Sequence, residues 1–311
     1  MANSDAILKK GFKIVRSISI FPITNKITNA VKDFYYEEPF PNYNDNDSKF
    51  TLLDKGDKNL FINSLKKEIK YGKIVLEAGS GTSQLSIYLS IGTNNQIYAL
   101  DGSLRSLELA SEFVIKNNIK NIKLVNADLL ELDNIFFDET FDYIWSNGVL
   151  HHTQNPRLCF DLLVKKLKKN GIIIIGLYNS IGRFRTILRK YLFRIFGKKV
   201  VIALDPYLRK LSKNYSENEK KIKAWINDQY LHPVESLHTY GQILKWFKQN
   251  SIEFINCYPN LNIDKNSNFF KKSYVPNFFE RIFIQIFMIF TKFGSEGGLF
   301  IFIGKKNDVH N

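Results

Sequence analysis

The sequence predicts an α/β protein built on a parallel sheet crossed by helices, with both faces of the sheet covered. Three observations predict it. From Lys73 onward, short apolar runs alternate with segments of helical length and spacing. Those runs are nearly all apolar rather than alternating, as strands buried on both faces must be. Glycines and acids cluster where the runs end, which is where such a sheet gathers its ligand-binding loops.

Taken in order, residues 1–60 read as an N-terminal cap. A helical start leads into the aromatic, acidic and proline-rich stretch DFYYEEPFPNYNDND. Thr51–Lys70 has helical spacing, and Gly72 stops it. The core, 61–178, follows with strands KIVLEA (73–78), QIYALD (96–101), IKLVNAD (122–128), FDYIWSNG (141–148) and GIIIIGLY (171–178). Helices fit between them at Gln84–Ser90, Leu104–Asn117 and Pro156–Lys169, with Gly171 as the stop after the last. Residues 179–238 break the rhythm with helical segments and no clear strand, so they read as an inserted lid. The core is completed within 239–311 by helix Thr239–Asn250, strand Ile252–Tyr258 and strand 298–304, with a helical insert at 260–296.

Bulk properties narrow the function. Hydrophobic residues make up 44% of the 311, enough for a full core, so global disorder is excluded. The two cysteines, Cys159 and Cys257, give no disulfide framework and lack the neighbours of a zinc ligand or activated nucleophile. The N-terminus has no pattern of a cleaved leader and no window is apolar for the ~20 residues of a spanning helix, so a cytoplasmic location is expected. Net charge is +14, and 13 Lys/Arg against three acids lie between Asn179 and Lys223. Such a patch suits RNA, an anionic lipid surface or a phosphorylated substrate, and equally a solvated helical face.

The turn at KIVLEAGSGTSQL (73–85) carries the first chemistry. Gly79 and Gly81 let the backbone turn tightly and approach a ligand closely. A dinucleotide loop is the competing reading, but Gln84 stands where its third glycine would be, and Glu77 sits poorly beside a pyrophosphate. The other strand ends read Gly79-Ser80-Gly81, Asp101-Gly102, Ala127-Asp128-Leu129, Ser146-Asn147-Gly148 and Tyr178-Asn179. Acids ending the first three strands suit ribose hydroxyls and an amine-bearing ligand and repel a polyphosphate. Asp101, 24 residues past Glu77, has the reach of a ribose-binding acid. Asp128 can accept from an adenine amino group, and Glu77 can hold a cationic amino-acid moiety.

This order of E-x-G-x-G, an acid after strand two, A-D-L after strand three and SNGVLHH after strand four resembles the class I S-adenosylmethionine-dependent methyltransferases. The resemblance covers 73–178, and 239–258 with 297–305 as closing strands. It implies a Rossmann-like sheet of seven strands, order 3-2-1-4-5-7-6, the last antiparallel, and S-adenosyl-L-methionine as cofactor. It places Gly79 and Gly81 along the methionine portion, Asp101 on the ribose, Asp128 and Leu129 around the adenine, and Asn147 with Gly148 near the sulfonium. Ser80, Gly102 and Ala127 complete the expected cofactor set. Ser83 departs from the pattern, since many relatives carry a glycine there.

Methyl transfer from a sulfonium is an in-line displacement that needs alignment, exclusion of water and, for a hydroxyl or activated carbon, a base. His151 and His152 after the fourth strand are candidates, or else scaffold for the helix that follows. The segment DQYLHPVESLHTYGQILKWF (228–247) brings His232, Glu235, His238 and Tyr240 before the helix that precedes strand six, where an acceptor site is expected. Its H-x-x-E-x-x-H spacing does not make a zinc site, because Pro233 interrupts a helix and the i, i+4 histidine pair is absent; no metal is expected. Tyr178, Asn179 and Arg183 join the substrate-side set. Residues 176–199 form a basic amphipathic helix read as a lid, and FFERIFIQIFMIF (278–290) reads as the second roof element. The leading reading is methyl transfer to a small or medium-sized, partly apolar acceptor. An RNA methyltransferase using the basic 183–223 patch, a non-catalytic cofactor-binding scaffold, and peripheral contact with an anionic membrane are the alternatives. Which atom is methylated, O, N, C or S, stays open.

Overall fold

The structure, a computed structural model, describes residues 7–37, 39, 41–44, 46–261, 269–292 and 297–308. Its strands are β1 (Lys13–Val15), β2 (Ile18–Ile20), β3 (Ile74–Ala78), β4 (Gln96–Asp101), β5 (Ile122–Asn126), β6 (Phe141–Asn147), β7 (Leu167–Tyr178), β8 (Ile252–Tyr258) and β9 (Leu299–Lys306). The helices are α1 (Lys26–Glu37), α2 (Lys49–Lys58), α3 (Leu60–Ile69), α4 (Gln84–Ser90), α5 (Leu104–Lys116), α6 (Leu132–Ile135) and α7 (Pro156–Lys166). After β7 come α8 (Phe184–Phe196), α9 (Lys198–Leu204), α10 (Pro206–Leu211), α11 (Tyr215–Ile226), α12 (Tyr240–Gln249) and α13 (Phe278–Phe290).

One mostly parallel sheet holds the strands in the order β1-β2-β5-β4-β3-β6-β7-β9-β8. The expected count of seven is therefore corrected to nine. From β3 onward the seven later strands keep the expected relative order, with β9 antiparallel to both β7 and β8. The two extra strands replace the expected helical start. Arg16 and Ser17 both take positive φ, 48° and 64°, closing a two-residue turn that folds β1 onto β2. β2 then runs parallel to β5, Ile18 opposite Leu124, and gives that edge strand its missing partner.

The strands from β3 to β7 are apolar because helices pack on both sides of them. On one side Leu76, Tyr98, Val125, Ile144 and Ile175 join side chains of α7 and α12. On the other, Val75, Ile97, Leu124 and Trp145 meet Leu65, Ile87, Leu107 and Ala110 from α3 to α5. Caps fix where these helices begin. Ser103 Oγ accepts the Ser106 N–H ahead of α5, and Asn155 with Pro156 opens α7. The expected single helix at Thr51–Lys70 is two helices, because Asn59 leaves helical geometry and its Oδ1 accepts the N–H groups of Phe61 and Ile62. α7 ends at Lys166 and not Lys169, since Leu167 already pairs with Phe141. The segment 179–238 forms a small helical subdomain around Val201, Leu208, Ile222, Ile226 and Tyr230.

Candidate active site

A cavity of about 670 Å³ opens beyond the carboxyl ends of β3, β4, β5, β6 and β7. Its wall includes Glu77, Gly79, Ser80, Gly81, Asp101, Gly102, Ala127, Asp128, Leu129, Asn147 and Gly148. The sequence-expected cofactor set thus surrounds one space. The strand order explains the grouping. β5, β4 and β3 are neighbours, so Asp128, Asp101 and Glu77 lie together on one flank, while β6 and β7 bring Asn147, His152 and Tyr178 to the other.

The turn after β3 is built for close approach. Gly79 and Ser80 donate to the Leu100 carbonyl at 2.8 and 2.9 Å, locking the turn to β4. Gly79 has φ 81°, and a Cβ there would stand 2.3 Å from Val149, so the position excludes a side chain on two counts. Ser83 answers the question its sequence position raised. It takes φ 60°, the left-handed conformation that favours glycine, and its buried hydroxyl donates to Ser80 Oγ at 3.1 Å.

The three carboxylates are held by different groups. Asp101 accepts the Gly81 and Ser103 N–H groups, one on each oxygen, at 2.7 Å; burial still pushes its pKa upward. Asp128 accepts the Leu130 N–H at 2.9 Å and the Thr28 hydroxyl at 2.6 Å. Glu77 directs one oxygen, Oε2, to the Ser86 N–H and hydroxyl, at 2.9 and 2.5 Å. Burial dominates those hydrogen bonds, with Asp101's charge adding to it, and raises the Glu77 carboxyl from 4.5 to about 8. A buried acid of this kind ionises readily only when a cation arrives beside it.

On the other flank, the structure brings only part of the expected set to the cavity. His152 and Tyr178 line it. His152 Nδ1 lies 2.7 Å from the Val234 carbonyl, which fixes the proton on Nδ1. Its Nε2 makes no hydrogen bond to any described residue. Burial depresses the ring to about 4, so it is neutral near pH 7. Seven residues expected at the site lie outside the cavity wall. His151 is fully buried behind the wall, its ring 3.8 Å from that of Tyr178. His238 is taken up by Ser236 and Gln242, and Tyr240 donates to Cys257 Sγ at 2.8 Å within the core. Asn179 bonds Gln285 and receives the N–H groups of Ile181 and Gly182, joining β7 to the insertion. Arg183 and Glu235 form a buried two-pronged ion pair, 2.9 and 2.7 Å. His232 also stands outside the wall, stacked 3.6 Å behind His152.

Arg183 acts through its neighbours. It stacks 3.4 Å over the Tyr178 ring and donates to Gln229 Oε1 at 3.0 Å. Gln229 in turn donates to the Tyr178 hydroxyl at 3.0 Å and to Asp228 at 2.7 Å, and both Gln229 and Asp228 line the cavity. These two sit in a π-helical turn, Asn227–Leu231, that continues α11.

The roof also differs from expectation. α8 and α13 contribute nothing to the cavity wall; α1, α2 and the end of α11 do, through Thr28, Val31, Lys32, Leu52 and Trp225. Sequence reasoning missed these residues. The only signal was the aromatic stretch around Tyr43, whose ring stacks on Phe113 at 4.7 Å and whose hydroxyl donates to the Thr82 carbonyl at 2.6 Å. That clasp draws the N-terminal segment over the glycine turn.

A doubly wound sheet with acids at three adjacent strand ends around a two-glycine turn defines a Rossmann-like, adenosyl-binding methyltransferase fold. A family model described as a methyltransferase domain matches residues 69–250, more than half of the chain, and the chain belongs to that family. Among curated relatives, demethylmenaquinone methyltransferase of Geobacillus sp. is 28% identical over 183 residues, 56% of this chain and 77% of that protein. The mitochondrial ubiquinone biosynthesis O-methyltransferase of Dictyostelium discoideum is 27% identical over 142 residues, 43% of this chain and 42% of that one. The chain spans about half the length of several relatives it matches, 47% and 56% in two others. A solved structure of geranyl diphosphate C-methyltransferase from Streptomyces coelicolor, in complex with S-adenosyl-L-homocysteine, superposes with a TM-score of 0.51 at 11% identity. It covers 92% of this chain and all of that one, a likeness of fold alone.

The family's cofactor is S-adenosylmethionine, and the residues present fit it. Glu77 is a buried carboxyl that lacks a cationic partner among the groups acting on it, and Asn147 Oδ1 is buried with no hydrogen bond to a described residue. Gly148, φ 79°, leaves open space where a Cβ would stand.

Proposed function

We propose that the protein transfers a methyl group from S-adenosylmethionine to a hydroxyl of a small, partly apolar ring compound. The observation that carries this reading is His152: a neutral imidazole on the cavity wall with its proton committed to Val234 and a buried Nε2 that no described residue engages, so that a small turn of the ring would present it to an acceptor. S-adenosylmethionine supplies an electrophilic methyl carbon. In this reading Glu77 holds its ammonium, Asp101 the ribose hydroxyls and Asp128 the adenine amino group. Asn147 and Gly148 border the methyl-bearing end. His152 Nε2 accepts the hydroxyl proton as the acceptor oxygen attacks. Tyr178, held by Gln229 and Arg183, and the apolar side chains Trp145, Trp225 and Leu299 enclose the acceptor and exclude water. The names of the two quinone-pathway relatives support an apolar acceptor of this size.

The RNA reading draws less support, because the basic segment 183–223 is partly spent inside the fold. Arg183 and Arg189 are buried, paired with Glu235 and Asp205. The test is transfer of labelled methyl from the cofactor into an organic extract when the protein meets a panel of hydroxylated aromatic compounds. His152→Ala should lower turnover by about 10² or more while leaving S-adenosylhomocysteine affinity intact. Label recovered in a ribonuclease-sensitive fraction, or full turnover in His152→Ala, rejects the reading.

A further inference from the structure

The neighbouring helices α8 and α13 each leave an apolar stripe uncovered. On α8 the buried positions are Thr186 and Arg189, with Arg189 Nη1 3.2 Å from Asp205. The exposed ones are Phe184, Leu188, Tyr191 and Ile195, an i, i+4, i+7, i+11 stripe facing solvent, Ile195 71% exposed. α13 buries Ile284 and Met288 in the core along with Gln285, yet its opposite face is apolar too. Gln285 is buried and accepts from Asn179 and from the Tyr240 N–H at 2.9 and 3.0 Å. Phe279, Phe283, Ile286 and Phe290 form the same outward spacing, with Phe279 and Phe290 each 79% exposed. The helices adjoin: Arg185 Nη1 donates to the Ile289 carbonyl at 3.3 Å, and Gly182 lies against Met288. Two neighbouring helices thus each turn an apolar stripe to solvent, and neither stripe touches the cavity.

Charge identifies what covers them. Between Phe184 and Leu204 there are six Lys/Arg and no acid, and Arg194, Lys198 and Lys199 are exposed. A second copy meeting this face about a two-fold axis would set like charges against each other. An anionic surface with an apolar interior complements both features. No helix among the described residues is long and apolar enough to cross a membrane, so the pair would lie along the surface. We propose that α8 and α13 dock this protein on an anionic lipid bilayer, the aromatic stripes entering the headgroup boundary and Arg194, Lys198 and Lys199 meeting lipid phosphates. The proposal stands whether or not the acceptor assignment above does.

Sedimentation of the full chain with vesicles tests it, comparing phosphatidylcholine alone with phosphatidylcholine containing phosphatidylglycerol. Binding is expected only to the anionic vesicles, and weaker as salt rises. The triple variant Arg194→Gln, Lys198→Gln, Lys199→Gln should reduce partitioning by about 100-fold. Phe279→Glu with Phe290→Glu should reduce it at least about tenfold, and Ile195→Glu repeats the test on α8. All three variants should keep wild-type S-adenosylhomocysteine affinity, which shows them folded. A full chain that stays in the supernatant with both vesicles overturns the proposal. So does a wild-type dimer in analytical ultracentrifugation that the Phe279→Glu, Phe290→Glu variant makes monomeric.

Discussion

Glu77→Gln gives the sharpest reading of the donor side, because a single buried carboxyl there makes stability and ligand affinity both depend on pH. The folded protein holds the Glu77 proton up to about 8, against 4.5 for the unmodified group. A carboxyl whose folded pKa is raised contributes stability that is full below its unfolded value and is lost as pH climbs through the folded one. By pH 7, with 1.36 kcal/mol per unit, the loss is roughly 3 kcal/mol relative to pH 4. The amide keeps an oxygen for the Ser86 N–H and hydroxyl but has no proton to release. Urea denaturation of both proteins at pH 5, 7 and 9 should therefore show Glu77→Gln gaining on the wild type by roughly 4 kcal/mol between pH 5 and pH 9, other groups cancelling in the difference. Binding runs the opposite way. Wild-type affinity for S-adenosylhomocysteine, measured by calorimetry, should rise about tenfold per pH unit up to about 8 and then flatten. Glu77→Gln should bind weakly and without that slope. Parallel denaturation profiles for the two proteins across this range would refute the reasoning, since Glu77 would then titrate as an ordinary surface acid.

Four further substitutions, at three positions, probe the frame of the site. Ser83→Gly relieves a left-handed residue by about 1 kcal/mol and gives up the bond to Ser80, worth about as much, so the melting temperature should move little. Ser83→Val should destabilise by about 2 kcal/mol or more in the same thermal scan, a β-branched side chain being forced into that conformation. Gly176→Ala would place its Cβ 1.6 Å from Asn147 Oδ1, so Asn147 must leave its place in the cavity wall. S-adenosylhomocysteine affinity should fall at least about tenfold, since several fixed contacts depend on that wall. Glu235→Ala strands the Arg183 guanidinium, whose side chain is 1% exposed, and chemical denaturation should report a loss of about 3–5 kcal/mol.

The donor half of the site was legible because its residues follow strand ends, and strand ends are read from local pattern. Once KIVLEA, QIYALD and IKLVNAD are strands, Glu77, Asp101 and Asp128 must lie on neighbouring loops, whatever the helices do. The β1–β2 hairpin escaped notice for a local reason. Its turn uses Arg16 and Ser17 at positive φ, without the Asn-Gly signal that marks such turns. The Asn59 break between α2 and α3 escaped for a similar one, since helical spacing runs through it and only the cap geometry interrupts it.

The acceptor half was misread for a different reason, and that reason constrains the chemistry. Arg183, Glu235, His238 and Tyr240 are polar and fall in the right stretch of chain, so sequence places them at the substrate. What sequence lacks is the long-range pairing that consumes them: Arg183 with Glu235 and Gly297, His238 with Ser236 and Gln242, Tyr240 with Cys257. A polar side chain buried at this depth must be paired, and once paired it has little capacity left for a substrate. Of the four histidines put forward, His151 is sealed behind Tyr178, His238 is bonded on both ring nitrogens, and His232 lies behind His152. His152 alone combines a place on the wall with a nitrogen that no described residue engages. Its Nδ1 bond to Val234 comes from the 228–238 segment, the segment that Arg183 pins through Gln229 and Glu235. If His152 is the base proposed above, the ion pair would act on it indirectly, through the segment that fixes its tautomer. Glu235→Gln, which keeps one acceptor oxygen for Arg183 and removes the charge, should hold turnover closer to wild type than Glu235→Ala at equal fraction folded. Equal turnover in the two variants would separate the ion pair from the base.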